Sequence, residues 1–255
     1  MKKLIAFILI LLISLPVMHS YAAPLLWRKT LTAHEQILYD RILRTANNLG
    51  SRVLVGGLVG ASRILNVLEA VRMDNPAVFW LSYSAEISFI DQNRVLFMFP
   101  TYIEDEETLT AMWFEFTGNT EYVINIAKQE KNITEQARLV FIHIMETTEF
   151  DRYAHFHQSA FSAVASAYSV CMGKSLAFLH FCQILGIPAA VVFGTIGGYL
   201  HAWNVLLING NLYHADATWG YFMKTDEELR AAFANLHITP ESEAVINRLL
   251  LLVDN

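Results

Sequence analysis

The spacing of apolar residues changes period several times along this chain, and each change predicts an element. Leu4 to Val17 is almost purely apolar. Leu31 to Asn48 then places Ile37, Leu38, Ile42 and Leu43 at helical spacing and ends at Asn47-Asn48-Leu49-Gly50. A second helix is expected over Ala61 to Met73. Ala77 to Ile90 and Val95 to Phe99 are rich in aromatic and β-branched residues, with Asp91-Gln92-Asn93 between them, so they predict two strands of a hairpin. Glu106 to Ala127 and Thr134 to Phe150 return to helical spacing, and small residues extend the expectation of helix over Gln158 to Tyr168.

The most informative run is Val170 to Leu185. It is apolar almost all round, through Leu176, Phe178, Leu179, Phe181, Ile184 and Leu185, which predicts a helix buried in the middle of the fold. Ser169 is the expected N-cap, Gly186 the left-handed stop, and Pro188 prevents the helix from resuming. Ala189 to Phe193, His201 to Ile208 and Asn211 to Ala217 read as strands, with Asn209-Gly210 as a two-residue hairpin turn. Thr225-Asp226-Glu227-Glu228 is a capping box, and Thr239-Pro240 opens a last helix whose Leu249 to Leu252 should pin it to the body. The whole predicts an α+β fold: a buried helix against an antiparallel sheet, with extra helices before it.

The first residues carry a different signal. Lys2-Lys3 precedes the 14-residue apolar run, and Ser20-Tyr21-Ala22 is a small-x-small cleavage pattern. A membrane-spanning helix needs about 20 apolar residues. Residues 1–22 are therefore expected to be a secretory signal peptide cut before Ala23, making the chain secreted or periplasmic without stable membrane insertion. Residues 23–74 are the expected N-terminal helical segment and residues 75–255 the expected main domain, the two forming one globular unit.

Composition narrows the function classes. The 255 residues are 54% hydrophobic and 16% charged, which excludes a disordered chain. The net charge is −6, with no basic run beyond Lys2-Lys3, so a nucleic-acid partner is not expected. Two cysteines exclude a disulfide scaffold. His155-x-His157 has no third ligand at suitable spacing and there is no His-Glu-x-x-His, so neither a metal nor another cofactor is expected.

Cys171 opens the buried helix, where free N–H groups and the helix dipole favour a thiolate. Cys182 lies 11 residues on. At about 1.5 Å per residue the two are roughly 16 Å apart, too far for a disulfide, which needs Cα atoms within ~7 Å. Cys182 is expected to be packing alone. A two-residue turn at Asn209-Gly210 sets Ile208 opposite Asn211, Trp203 opposite Asp216 and His201 opposite Thr218. His201 and Asp216 then become diagonal neighbours on one face, at ~7–8 Å between Cα atoms and within side-chain reach. A cysteine at a helix start, followed by a histidine and an aspartate on a hairpin, is the order of a Cys-His-Asp triad.

Those residues carry a resemblance. Ser169-Val170-Cys171-Met172-Gly173, Gly186-Ile187-Pro188, His201-Ala202-Trp203-Asn204 and Asp216-Ala217-Thr218-Trp219 resemble the transglutaminase-like superfamily of cysteine peptidases and acyltransferases, in particular its bacterial secreted members and the kyphoscoliosis-peptidase type. Gln158-Ser159-Ala160-Phe161, Asn75-Pro76-Ala77-Val78-Phe79-Trp80, and Tyr221-Phe222 with Asp226-Glu227-Glu228 extend the likeness over residues 75–237. Lys174-Ser175 and Gly220-Tyr221 depart from the family's habits.

The resemblance implies a papain-like, transglutaminase-like core. In it Cys171 is the nucleophile, His201 the base and then the acid, and Asp216 the orienting carboxylate. It also implies a thioester acyl-enzyme formed from a protein or peptide amide. Gln158 is the candidate oxyanion donor beside the Cys171 backbone N–H, and Trp203 and Trp219 are the candidate walls of the substrate cleft. Three readings follow: a secreted peptidase or amidase, a cross-linking protein-glutamine acyltransferase, and an inactive binding module of the cell envelope. Retention of all three triad residues favours an enzyme.

Overall fold

A computed structural model describes residues 24–56, 60–91, 94–98, 103, 105–233 and 235–253. The expected signal peptide and the Gln92-Asn93 part of the first hairpin turn lie outside the described residues. The described elements run α1 (Ala33–Asn47), β1 (Arg52–Gly56), α2 (Ala61–Asp74), β2 (Glu86–Asp91), β3 (Arg94–Met98), α3 (Glu106–Ala127), α4 (Ile133–Thr147), β4 (Glu149–Phe150), α5 (Ala160–Val164), β5 (Tyr168–Ser169), α6 (Cys171–Leu185), β6 (Ala189–Ile196), β7 (Tyr199–Ile208), β8 (Asn211–Asp216), β9 (Tyr221–Lys224), α7 (Asp226–Ala232), β10 (His237–Ile238) and α8 (Pro240–Leu250). The fold is α+β.

The central sheet has the order β10-β6-β7-β8-β9, every neighbour antiparallel. Helix α6 packs on it with Phe178, Phe181 and Cys182 fully buried, as an all-round apolar helix must. Gly186 ends α6 at φ 72°, a left-handed geometry that costs glycine little. The N-cap differs from the expectation: Val170 holds that position. The Ser169 hydroxyl is engaged elsewhere, at 2.7 Å from the Ser162 hydroxyl and donating to the His157 carbonyl at 2.9 Å.

The N-terminal part is more than helices. Strand β1 pairs with β3 in a separate sheet of order β1-β3-β2. Residues 77–85 do not join the expected strand, because Phe79, Trp80 and Leu81 sink into the core at a turn. The expected helix over Gln158 to Tyr168 shrinks to α5, and Tyr168-Ser169 instead pairs in parallel with Glu149-Phe150.

This N-terminal part is tied to the sheet by buried polar bonds. The Asp74 carboxylate accepts from the backbone N–H groups of Trp27 (3.0 Å) and Arg28 (2.8 Å) and from the Tyr39 hydroxyl (3.2 Å). The Trp27 indole donates to the Val191 carbonyl in β6 at 3.0 Å, and Gln183 of α6 donates to the Asp74 carbonyl at 3.0 Å.

Candidate active site

Strands β7 and β8 pair in the register that a two-residue turn dictates, from Ile208 opposite Asn211 to Asn204 opposite Ala215. Continued outward, that register carries His201 and Asp216 to one end of one face. There His201 Nε2–H donates to Asp216 Oδ2 at 2.6 Å, with both side chains buried. The other carboxylate oxygen is held as well. Asp216 Oδ1 accepts from the N–H of Thr218 (2.8 Å) and of Trp219 (3.2 Å). Gly220, at φ 76°, turns the chain back into β9 with its N–H on the Asp216 carbonyl. The Gly220-Tyr221 departure from the family pattern thus closes the turn, while Thr218 and Trp219 hold the carboxylate.

Cys171 starts α6, half-buried, with its sulfur close enough to the His201 ring for each to shift the other's pKa. Nε2 of His201 is committed to Asp216, so Nδ1 serves the sulfur. Burial works against the thiolate. Hydrogen bonds from His201, from the Ala202 backbone and from the Met172 backbone outweigh it, and the thiol sits below its ordinary pKa. Burial likewise works against a charged His201, but bonds to Asp216 and Cys171 prevail and raise it to about 9. The directions agree: the pair favours thiolate and imidazolium at neutral pH. Cys182, fully buried on the same helix with no such partner, is pushed upward by desolvation. Both cysteines are free thiols.

The two tryptophans have different places. Trp219 stacks on the His201 ring at 4.3 Å between centroids and 10° between planes, and it remains 41% exposed. Trp203 is 1% exposed, so it lies beneath the histidine and not along an open cleft. The cause is its polar handle: the indole N–H donates to His214 Nδ1 at 3.0 Å, which draws the ring inward. Burial lowers His214 to about 4, keeping that nitrogen an acceptor at neutral pH.

Gln158 is half-buried and precedes α5, with no part in a helix. Its carbonyl accepts from Arg72 at 3.2 Å. Its neighbours press on the first turn of α6: a Cβ at Gly173 would come within 2.6 Å of the His157 carbonyl oxygen and 2.7 Å of that of Ser159. Val170 N–H donates to the same His157 carbonyl at 3.1 Å. Gly173 is therefore required for the 157–159 backbone to lie against the cysteine's helix.

Sequence reasoning missed three supports. Ser175 Oγ donates to the Ala202 carbonyl at 3.2 Å, and Asn204 Nδ2 donates to the Ser175 carbonyl at 3.0 Å, stitching α6 to β7 next to the reacting groups. Buried Lys174 donates to the Thr148 carbonyl at 2.7 Å. The Lys174-Ser175 departure from the family pattern thus has structural partners. The signal was available: a lysine and a serine inside an otherwise apolar helix need buried acceptors.

The model of the Transglutaminase-like superfamily matches residues 120–219, a span that contains Cys171, His201 and Asp216. By that match residues 120–219 form a region similar to the transglutaminase-like superfamily. No curated protein matches it. Three solved structures are similar to it. One described as a TGase has 17% identity and a TM-score of 0.38, covering 71% of this chain and 54% of its own. A candidate cysteine protease from Cytophaga hutchinsonii has 15% identity and a TM-score of 0.37, covering 61% and 70%. A candidate protease from Parabacteroides distasonis has 10% identity and a TM-score of 0.34, covering 52% and 35%. The transglutaminase-like chain thus spans about half the length of the first. Among the described residues, no group of three His, Cys, Asp or Glu could hold a metal ion, and no helix is long and apolar enough to cross a membrane.

Proposed function

We propose that this transglutaminase-like chain is a thiol peptidase or amidase working through Cys171, His201 and Asp216. The observation that carries the reading is the line of contacts from sulfur to imidazole to carboxylate, with the thiol lowered and the histidine raised.

In the first half, the Cys171 thiolate adds to an amide carbonyl, and the carbonyl π pair moves to oxygen. The oxyanion re-forms C=O as the C–N bond breaks, and the His201 imidazolium gives its proton to the departing nitrogen. A thioester and a neutral imidazole remain. In the second half, His201 takes a proton from water, whose oxygen attacks the thioester. The acid leaves and the thiolate returns. Asp216 keeps Nε2 protonated throughout, which leaves Nδ1 facing the sulfur and stabilises the charged ring.

The oxyanion needs donors. The Cys171 N–H belongs to the first helical turn, whose N–H groups have no intrahelical acceptor. Gln158 is the second donor in this reading, supported by the packing of its flanking carbonyls on Gly173. One such donor contributes about 3–4 kcal/mol to the barrier. Residues 1–22 act as an export signal and residues 23–255 as the mature enzyme, which sequencing of the mature N-terminus checks at Ala23.

The function is tested by incubating the mature protein with casein and counting new amino termini, in the wild type and in Cys171→Ala. The expected result is cleavage abolished by the substitution. Cleavage that survives it contradicts the reading. Capture of the acyl group by added primary amine, with no hydrolysis, would instead identify an acyltransferase.

A further inference from the structure

The diagonal step that joins His201 to Asp216 is used a second time on the same sheet face. Strands β7 and β8 pair Asn204 with Ala215 and Val205 with His214. Continued outward, that register sets Trp203 opposite Asp216, and residues two apart on a strand share a face. His201 bonds diagonally to Asp216 at 2.6 Å, and Trp203 bonds diagonally to His214 at 3.0 Å. The two bonded pairs therefore lie side by side. Their rings are aligned: the planes of Trp203 and His201 differ by 16°, with centroids 6.1 Å apart.

Holding the indole N–H takes an acceptor, and a neutral histidine supplies one at Nδ1 in only one of its two tautomers. The other nitrogen of His214 then carries the proton. That Nε2 is buried, with no hydrogen-bond partner among the described residues. The charged groups facing it come from α7 and α8. Asp226, in the first turn of α7, sets one carboxylate oxygen 3.7 Å away, and Arg230 pairs with its other oxygen at 2.8 Å. Glu243 of α8 lines the same recess. A separation of 3.7 Å is too long for a direct bond. The negative charge nonetheless favours the tautomer with its proton on Nε2, which leaves Nδ1 free to accept from Trp203. Asp216 does the same for His201: it takes Nε2–H and leaves Nδ1 to the sulfur.

We propose that His214 is a positioning residue for the reaction: with Asp226 selecting its tautomer, it locks the Trp203 indole, and the locked indole keeps the His201 ring in line between Asp216 and Cys171. Without Nδ1, the indole N–H becomes a buried donor with no acceptor. The ring turns to find one, and His201 loses the flat surface beneath it. The imidazolium is then held less well, and the thiolate with it. The inference rests on the thiol-enzyme reading above and adds to it a residue that acts through another side chain.

The test follows iodoacetamide labelling of Cys171 against pH, which reads the thiolate, with unfolding midpoints taken on the same samples. His214→Phe keeps a ring and removes the acceptor. Its labelling curve should move to higher pH, and its rate at pH 7 should fall about three- to tenfold. His214→Asn, whose side-chain oxygen can stand where Nδ1 stood, should recover most of that loss. Asp226 is half exposed, so Asp226→Asn leaves the core intact and should move the curve the same way by less. Trp203→Phe removes the N–H itself, and the double variant with His214→Phe should be no slower than the slower single one. A role in packing alone would lower the midpoint of His214→Phe and leave its labelling curve on that of the wild type. That result overturns the proposal, as does a double variant slowed by the product of the two single effects. In either case fast labelling of wild-type Cys171 leaves the thiol-enzyme reading standing. If wild-type Cys171 is labelled no faster than Cys182, both fall together.

Discussion

At the scale of single residues, the site is a histidine held by three kinds of neighbour. Asp216 fixes one nitrogen, Cys171 faces the other, and Trp219 covers the ring at 4.3 Å. An indole face over an imidazolium is worth about 0.5–2 kcal/mol. Trp219→Ala is therefore expected to lower the His201 pKa and move the alkaline fall of amide cleavage to lower pH, read from a pH–rate profile. Alkylation and amide cleavage should separate at high pH. Alkylation needs only the thiolate, so it sets in below the ordinary thiol pKa and persists above pH 9. Cleavage needs the imidazolium proton, so it declines as pH passes about 9. The same titration enters stability. His201 is raised from 6.5 to about 9, so its contribution is complete below pH 6.5 and is lost as pH rises through 9. Denaturation at pH 6 and pH 10 should show that loss in the wild type and not in His201→Gln.

At the scale of elements, the Cys171 helix depends on one small residue. The Cβ of Gly173→Ala would meet the Ser169 hydroxyl and two backbone carbonyls that cannot step aside. The substitution should cost roughly 1–3 kcal/mol in thermal or denaturant unfolding and slow Cys171 alkylation, because the first turn must shift. This level was the most legible in the sequence. The helix after Val170, the Asn209-Gly210 turn with its register, α3 at Glu106–Ala127 and the capping box at Thr225 follow from local chemistry alone. What escaped was set by distant partners. Strand β1 exists because β3 offers an edge, and β9 because the turn after Asp216 folds back on β8. Ser169 has the composition of a cap, but His157 and Ser162 claim its hydroxyl. Trp203 sits deep because His214 lies eleven residues away along the chain and offers an acceptor. No local pattern records such pairings.

At the scale of the whole molecule, the N-terminal segment and the transglutaminase-like core share one interior. Trp27 bonds into β6, Trp80 Nε1–H donates to the Ala46 carbonyl, and Asp74 gathers three donors from Trp27, Arg28 and Tyr39. Asp74→Ala should strand those donors and cost about 1–3 kcal/mol. The loss should appear as a lower midpoint of a single unfolding transition followed by circular dichroism. Two separate transitions would show instead that residues before 75 fold apart from the core.

The most direct measurement of the central claim is the rate at which iodoacetamide labels each cysteine at pH 7, resolved by peptide mass. The thiolate–imidazolium account predicts that Cys171 reacts much faster than Cys182, and that His201→Ala slows Cys171 by removing the group that holds its charge. Equal slow labelling of both cysteines, or a Cys171 rate indifferent to His201, would contradict it.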